Sequence, residues 1–161
     1  MKKVIFILVV LLFVVNTTAQ QKFELEFSVL KKANLEKVEI KPKKIIKAQA
    51  IKGKKRVLCM FGSETFWRES LQTVQDRYIS TDKIIKLKER GIRLDIDLSV
   101  DYQGNVLFVK LLADESILDL LSKECLVDIY WHFVNLNVPV PHTLSETEYC
   151  QGTVNILGSN M

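Results

Sequence analysis

IRLDIDLSVDYQGNVLFVKLL, residues Ile92 to Leu112, decides the fold. Ile92, Leu94, Ile96, Leu98 and Val100 alternate with Arg93, Asp95, Asp97, Ser99 and Asp101. Successive side chains leave a pleated strand in opposite directions, so this period of two predicts a strand with one face on a core and one in water. Asp101-Tyr102-Gln103-Gly104-Asn105 supplies turn chemistry, with Gly104 free to take a positive φ. Val106 to Leu112 follows as a second strand. It is apolar on both faces except at Lys110, which predicts a more central place in the sheet than its partner.

C-terminal to this hairpin, Asp114 or Ser116 is expected to cap a helix running to about Phe133, with Leu118, Leu121, Cys125 and Ile129 as its buried stripe. Asn135 to His142 contains Pro139 and Pro141 and reads as an extended crossing. Thr153 to Leu157 reads as the last strand. On the N-terminal side, Ser63 is placed to cap a helix ending near Ile79, with Trp67, Leu71, Val74 and Tyr78 on one stripe. A shorter helical piece, Asp82 to Arg90, ends at Gly91. Phe23 to Val29 and Arg56 to Phe61 read as short strands. The expected fold is α+β, with two helices packed on one face of a mainly antiparallel sheet.

Met1 to Ala19 has the pattern of a signal peptide. Lys2 and Lys3 precede an unbroken apolar run from Val4 to Val15, and Thr17-Thr18-Ala19 supplies small residues for cleavage. Twelve helical residues cover roughly 18 Å, short of the ~30 Å hydrocarbon core of a bilayer. The expectation is therefore secretion to the periplasm or beyond, with cleavage near Ala19 and no membrane anchor in the mature protein. Removing Lys2 and Lys3 takes the formal net charge from +4 to +2. The remaining chain divides into a lysine-rich segment with strands, 20–61, and an α+β domain, 62–158.

The basic excess is local. Lys31 to Arg56 holds eleven Lys or Arg against Glu36 and Glu39. One reading is an arm that binds an anionic envelope polymer or lipid through the 41–56 segment, with Lys52, Lys54, Lys55 and Arg56 at its core; such binding weakens steeply with salt. The other is strands with a lysine-rich, solvated edge, where charge discourages edge-to-edge pairing. The interleaved Val38, Ile40, Ile45 and Ile46 need something to pack on, which favours strands. No specific nucleic-acid partner is expected.

Cys59, Cys125 and Cys150 allow one disulfide in an oxidising compartment. Cys125–Cys150 is one pairing, Cys59–Cys150 its rival, and three buried thiols the third possibility. Asp95, Asp97 and Asp101 share one strand face, neighbours two apart lying roughly 7 Å from each other. That spacing suits a divalent cation or a glycosidase-like pair, but a solvated strand face has the same look and no second ligand cluster accompanies it. The histidines are His132, near a helix end where a cationic ring suits the dipole, and His142. No Gly-rich phosphate loop, nucleophile elbow or HExxH is present. No cofactor and no catalysis are expected; a hydrolase built on a Cys/His or carboxylate pair is the alternative.

The order of elements from Gly62 onward resembles the TonB C-terminal domain family. Gly62 precedes a helix carrying Phe66 to Tyr78, and Gly91 precedes the long alternating strand. The hairpin has the form Val100-Asp101-Tyr102-Gln103-Gly104-Asn105-Val106, and a leucine-rich helix, a proline-containing crossing and a terminal strand follow. The resemblance covers about residues 62 to 157. It implies a non-enzymatic module that takes an extended peptide onto a sheet edge. The edge expected to do so is the last strand, at Thr153, Val154 and Asn155, or an N-terminal strand, with an unidentified envelope protein or peptide as partner. Proline at Val154 is the expected block. Trp131 lies off the line from Ile129 to Phe133 and is a candidate surface aromatic for the same partner.

Overall fold

The computed structural model describes residues 25–32, 35–42, 51–57 and 61–157. The expected signal peptide and Cys59 lie outside these residues. The chain forms an α+β fold around one six-stranded mixed sheet. Its strands are β1 (Leu25–Lys32), β2 (Leu35–Pro42), β3 (Lys55–Val57), β4 (Leu94–Asp101), β5 (Val106–Asp114) and β6 (Glu148–Asn155). The helices are α1 (Glu64–Tyr78), α2 (Thr81–Glu89) and α3 (Lys123–Val134). Sheet order is β1-β2-β5-β4-β6-β3, antiparallel throughout except for the parallel β3–β6 pair. No helix among the described residues is long and apolar enough to cross a membrane.

The hairpin at Ile92 to Leu112 forms with Leu94, Ile96, Leu98 and Val100 wholly buried. The other face of β4 is not in water as expected: Ser99 and Asp101 are buried and Asp95 and Asp97 half-buried, because the sheet continues on both sides of the hairpin. β5 is not more central than β4, because β4 also has a neighbour on each side, β5 and β6. At the turn, the Asp101 carboxylate accepts the backbone N–H groups of Gln103 and Asn105, both at 2.9 Å, and the Asn105 amide at 3.1 Å. Asp101 is thus a turn clamp, and its burial follows from that role.

Ser63 caps α1 as expected, accepting the Phe66 N–H at 3.1 Å. The second long helix is not continuous. A 3-10 turn at Glu115–Asp119 ends the first part, and α3 begins afresh behind Ser122, whose hydroxyl accepts the Cys125 N–H at 3.2 Å. A serine oxygen that can satisfy an orphan amide restarts the helix there. The last strand begins at Glu148 rather than Thr153, because Glu148, Tyr149 and Cys150 pair with β3 on one side while β4 takes Tyr149 onward on the other. In the basic stretch, Leu35–Pro42 and Lys55–Val57 are strands, and residues 43–50 lie outside the described set.

All three helices contribute to one core. Val74 of α1, Leu87 of α2, and Leu126, Ile129, Tyr130 and Phe133 of α3 pack with the buried face of β4 and β5. The crossing is strapped at two points: Gly62 N–H donates to Pro139 O at 2.6 Å, and Val138 N–H to Gly104 O at 2.8 Å.

Candidate functional site

The two helix ends that carry Tyr78 and His132 leave a cleft of about 500 Å³ between α1 and α3. It is lined by Arg77, Tyr78, Asp128, Trp131, His132, Asn135 and Leu136. Aromatic rings meet edge to face along it, Tyr78 and His132 at 5.8 Å between centroids. Arg77 lies over the Tyr78 ring at 5.5 Å. Trp131 is half-buried here, packed on the core and lining the cleft.

His132 departs from the expected cation. Its Nε2 is buried and finds no hydrogen-bond partner, and burial, followed by the charge of Arg77, pulls the imidazole below its ordinary value of 6.5. The folded protein therefore prefers the neutral ring, whereas the unfolded chain takes up a proton as pH drops below about 6.5. Stability should hold above that pH and fall as acid carries the protein toward the lower folded value. The His132→Phe variant should show a shallower loss of melting temperature between about pH 7.5 and 5.5. Parallel losses in both proteins would remove His132 as the source.

The other residues singled out by sequence separate into two places on β6 and its border. Lys52 is exposed on the turn before β3 and Lys55 and Arg56 are exposed within that strand, whereas Lys54 sits over the Tyr102 ring at 5.9 Å. Lys55 stands opposite Glu148, whose carboxyl is held below its usual range first by the Ser145 backbone and side chain and lastly by Lys55. Of these basic residues Lys55 stands beside a carboxylate, while residues 43–50 of the basic segment lie outside the described residues. Thr153 and Asn155 point to the face away from the helices and bond to β4: Thr153 Oγ1 donates to Asp97 at 2.6 Å and Asn155 Nδ2 to Asp95 at 2.7 Å. Val154 lies on the core face opposite Ile96. Ile156 N–H donates to Leu94 O at 2.8 Å. The alternation of an antiparallel ladder then turns the Val154 N–H toward β4 as well. Proline at Val154 would break the sheet itself, so it is not a selective block of the edge.

The opposite end of the sheet is β1. All eight of its residues pair with β2 on one side, and no described strand pairs with the other. Pro42 stands opposite Leu25, and Lys32 and Leu35 close a two-residue connection. A two-residue hairpin closes on a hydrogen-bonded pair, and a proline without an N–H fits a non-bonded one. Both place Leu25, Phe27, Val29 and Lys31 with their backbone groups facing outward.

No family model, curated protein or solved structure matches the chain. The resemblance to the TonB C-terminal domain accordingly rests on element order and the quoted motifs alone.

Glu39, Asp95 and Asp97 on the polar sheet face each have partners. Glu39, buried to 6 % exposure, meets Lys41 at 2.6 Å and Lys110 at 3.9 Å, and Lys110 reaches Asp97 at 3.2 Å. The hydrogen bond to Glu39 is the chief reason the Lys41 ammonium is held above its ordinary value. Asp95 accepts from Arg93 at 3.4 Å as well as from Asn155. Burying a carboxylate costs free energy unless cations and hydrogen-bond donors meet it, so the network is accounted for by the fold. Among the described residues no group of His, Cys, Asp and Glu is arranged to hold a metal ion.

The Cys125–Cys150 pairing is corrected. Cys125 is a free thiol that donates to Tyr78 O at 3.2 Å, while Cys150 is disulfide-bonded and buried. Cys125 sits in α3 against α1, and Cys150 opposite Val100 and Val57 in the sheet. Desolvation pushes the Cys125 thiol up, the reverse of what a nucleophile needs. The sequence did not single out Arg77, Tyr78 or Asp128 for the cleft; helix spacing along α1 and α3 was the available signal, but nothing in it pairs one helix with the other.

Proposed function

We propose that this protein is a secreted, non-enzymatic recognition module of the cell envelope that takes an extended segment of a partner protein onto the outer edge of β1. The observation that carries this reading is a full-length terminal strand bonded along one side only among the described residues. Such an edge presents a row of backbone donors and acceptors, and strand addition satisfies them while neighbouring side chains choose the sequence. The signal-peptide pattern and the disulfide at Cys150 support passage through an oxidising compartment. The raised thiol at Cys125 and the paired carboxylates speak for binding over hydrolysis.

The test is capture from an envelope extract at low and moderate salt, using residues 20–161 and two variants. Val29→Pro removes an outward N–H, leaving the β1–β2 ladder intact. It should lose the partner with an unchanged far-UV circular dichroism spectrum. Thr153→Pro, which alters the outward side of β6, should keep it. Capture that survives Val29→Pro would sink the β1 assignment. Loss of capture on moderate salt alone would instead favour the electrostatic reading through Lys52, Lys55 and Arg56.

A further inference from the structure

We infer that the strand best suited to the β1 edge is β1 of a second copy of this chain, joined antiparallel so that two six-stranded sheets become one. The inference rests on the edge reading above and names its partner.

The argument is one of register and charge. β1 reads Leu25-Glu26-Phe27-Ser28-Val29-Leu30-Lys31-Lys32, with its carboxylate near the start and its ammonium groups at the end. An antiparallel copy reverses the order, so acid meets base at both ends of the contact. A two-fold axis through Val29 sets Val29 opposite its own copy and Phe27 opposite the copy's Lys31. It sets Glu26 opposite the copy's Lys32, twice by symmetry. The outward backbone groups at Phe27, Val29 and Lys31 then meet one another in this register, as a hydrogen-bonded ladder requires. Glu26 and Lys32 fall at non-bonded positions, where directly opposed side chains come closest, roughly 4.5–5.5 Å between Cβ atoms. Glu26 is exposed, and within its own chain it stands opposite Lys41, whose side chain is also held by Glu39. A parallel copy would instead set like charges side by side.

The axis stands perpendicular to the sheet, which keeps both helix layers on one side. Lys123 at the start of α3 already lies over the Phe27 ring at 4.7 Å. The N-terminus of α3 therefore borders the contact in each copy.

Cross-linking tests the register directly. In residues 20–161 carrying Cys125→Ser, the pair Glu26→Cys with Lys32→Cys should give a disulfide-linked dimer under mild oxidation. Within one chain these positions lie six residues apart along a strand, about 20 Å, too far to bridge. A second arm uses sedimentation across protein concentration. Lys32→Glu should weaken the dimer at least tenfold, and Lys32→Glu combined with Glu26→Lys should restore it toward the parent. A monomer at all concentrations, or a dimer indifferent to both charge variants and to Val29→Pro, overturns the inference. If the protein is monomeric yet Val29→Pro still loses a captured partner, self-pairing alone fails and the edge reading stands. If Val29→Pro affects neither dimer nor capture, both fall.

Discussion

Replacing Gly104 with alanine is expected to lower the unfolding free energy by roughly 2–4 kcal/mol. Gly104 has φ +83°, and a Cβ added there would stand 2.2 Å from the backbone oxygen of Val138. Backbone on the far side cannot rotate away as a long side chain does. Either the hairpin turn or the crossing must move, and the Val138 N–H to Gly104 O bond of 2.8 Å goes with it. The bridge between Asn105 and Asn137 depends on the same approach. Gly53 is the control: its φ is +78°, but nothing lies within 4 Å of an added Cβ. Gly53→Ala should cost only the conformational penalty, about 1–2 kcal/mol. Urea denaturation reads both as midpoint shifts at constant slope. Equal shifts in the two variants would mean that the crossing yields freely.

Phe133→Ala should cost about 3–5 kcal/mol through the cavity it leaves. Phe133 is wholly buried in the last turn of α3, within the same core as Leu126, Ile129 and Tyr130. Its neighbours are held by two layers, the sheet and α1, so collapse into the space is restricted. For a domain of this size the loss corresponds to a fall in melting temperature on the order of 10 °C. Ile85, half exposed on α2, is the matched surface site. Ile85→Ala should stay within about 0.5 kcal/mol of the parent. A Phe133→Ala cost no larger than that would contradict the packing described for α3.

The central hairpin, α1 with its Ser63 cap, and the proline crossing were legible because each carries its own local signal: alternation, a capping hydroxyl, or residues that forbid helix. What was not legible depends on partners distant in the chain. β6 starts at Glu148 because Lys55 to Val57 line up beside it, and a three-residue strand rich in charge announces nothing in sequence. The break before α3 could have been read from Ser122 and the acidic Glu124 that follows it, but the leucine stripe ran through the site and concealed it. The cleft joins Arg77 and Tyr78 to Asp128 and His132, which helix packing alone brings together. The cysteines had three readings in sequence, and what decides among them is that Cys150 is disulfide-bonded while Cys125 is a free thiol held against Tyr78. The outward edge of β1 was visible only as one of several N-terminal strands until Pro42 fixed its pairing.

The place of β6 has a consequence for the order in which the molecule is made. It is the last described strand of the chain, yet it lies inside the sheet, between β4 and β3. A chain delivered from its N-terminus has the β4–β5 hairpin complete while β6 is still absent, and β3 has nothing to pair with. During that interval the outer side of β4 is a long open edge of the kind that recruits other chains. Asp95 and Asp97 stand on that edge, and in the finished fold they are met by Asn155 and Thr153. While β6 is absent, Arg93 and Lys110 of the completed hairpin already pair with Asp95 and Asp97, so the open edge carries a mixed row of charge. Charged side chains along an unpaired edge discourage edge-to-edge pairing of nascent chains, and Thr153 and Asn155 add their hydrogen bonds to Asp97 and Asp95 once the strand is delivered.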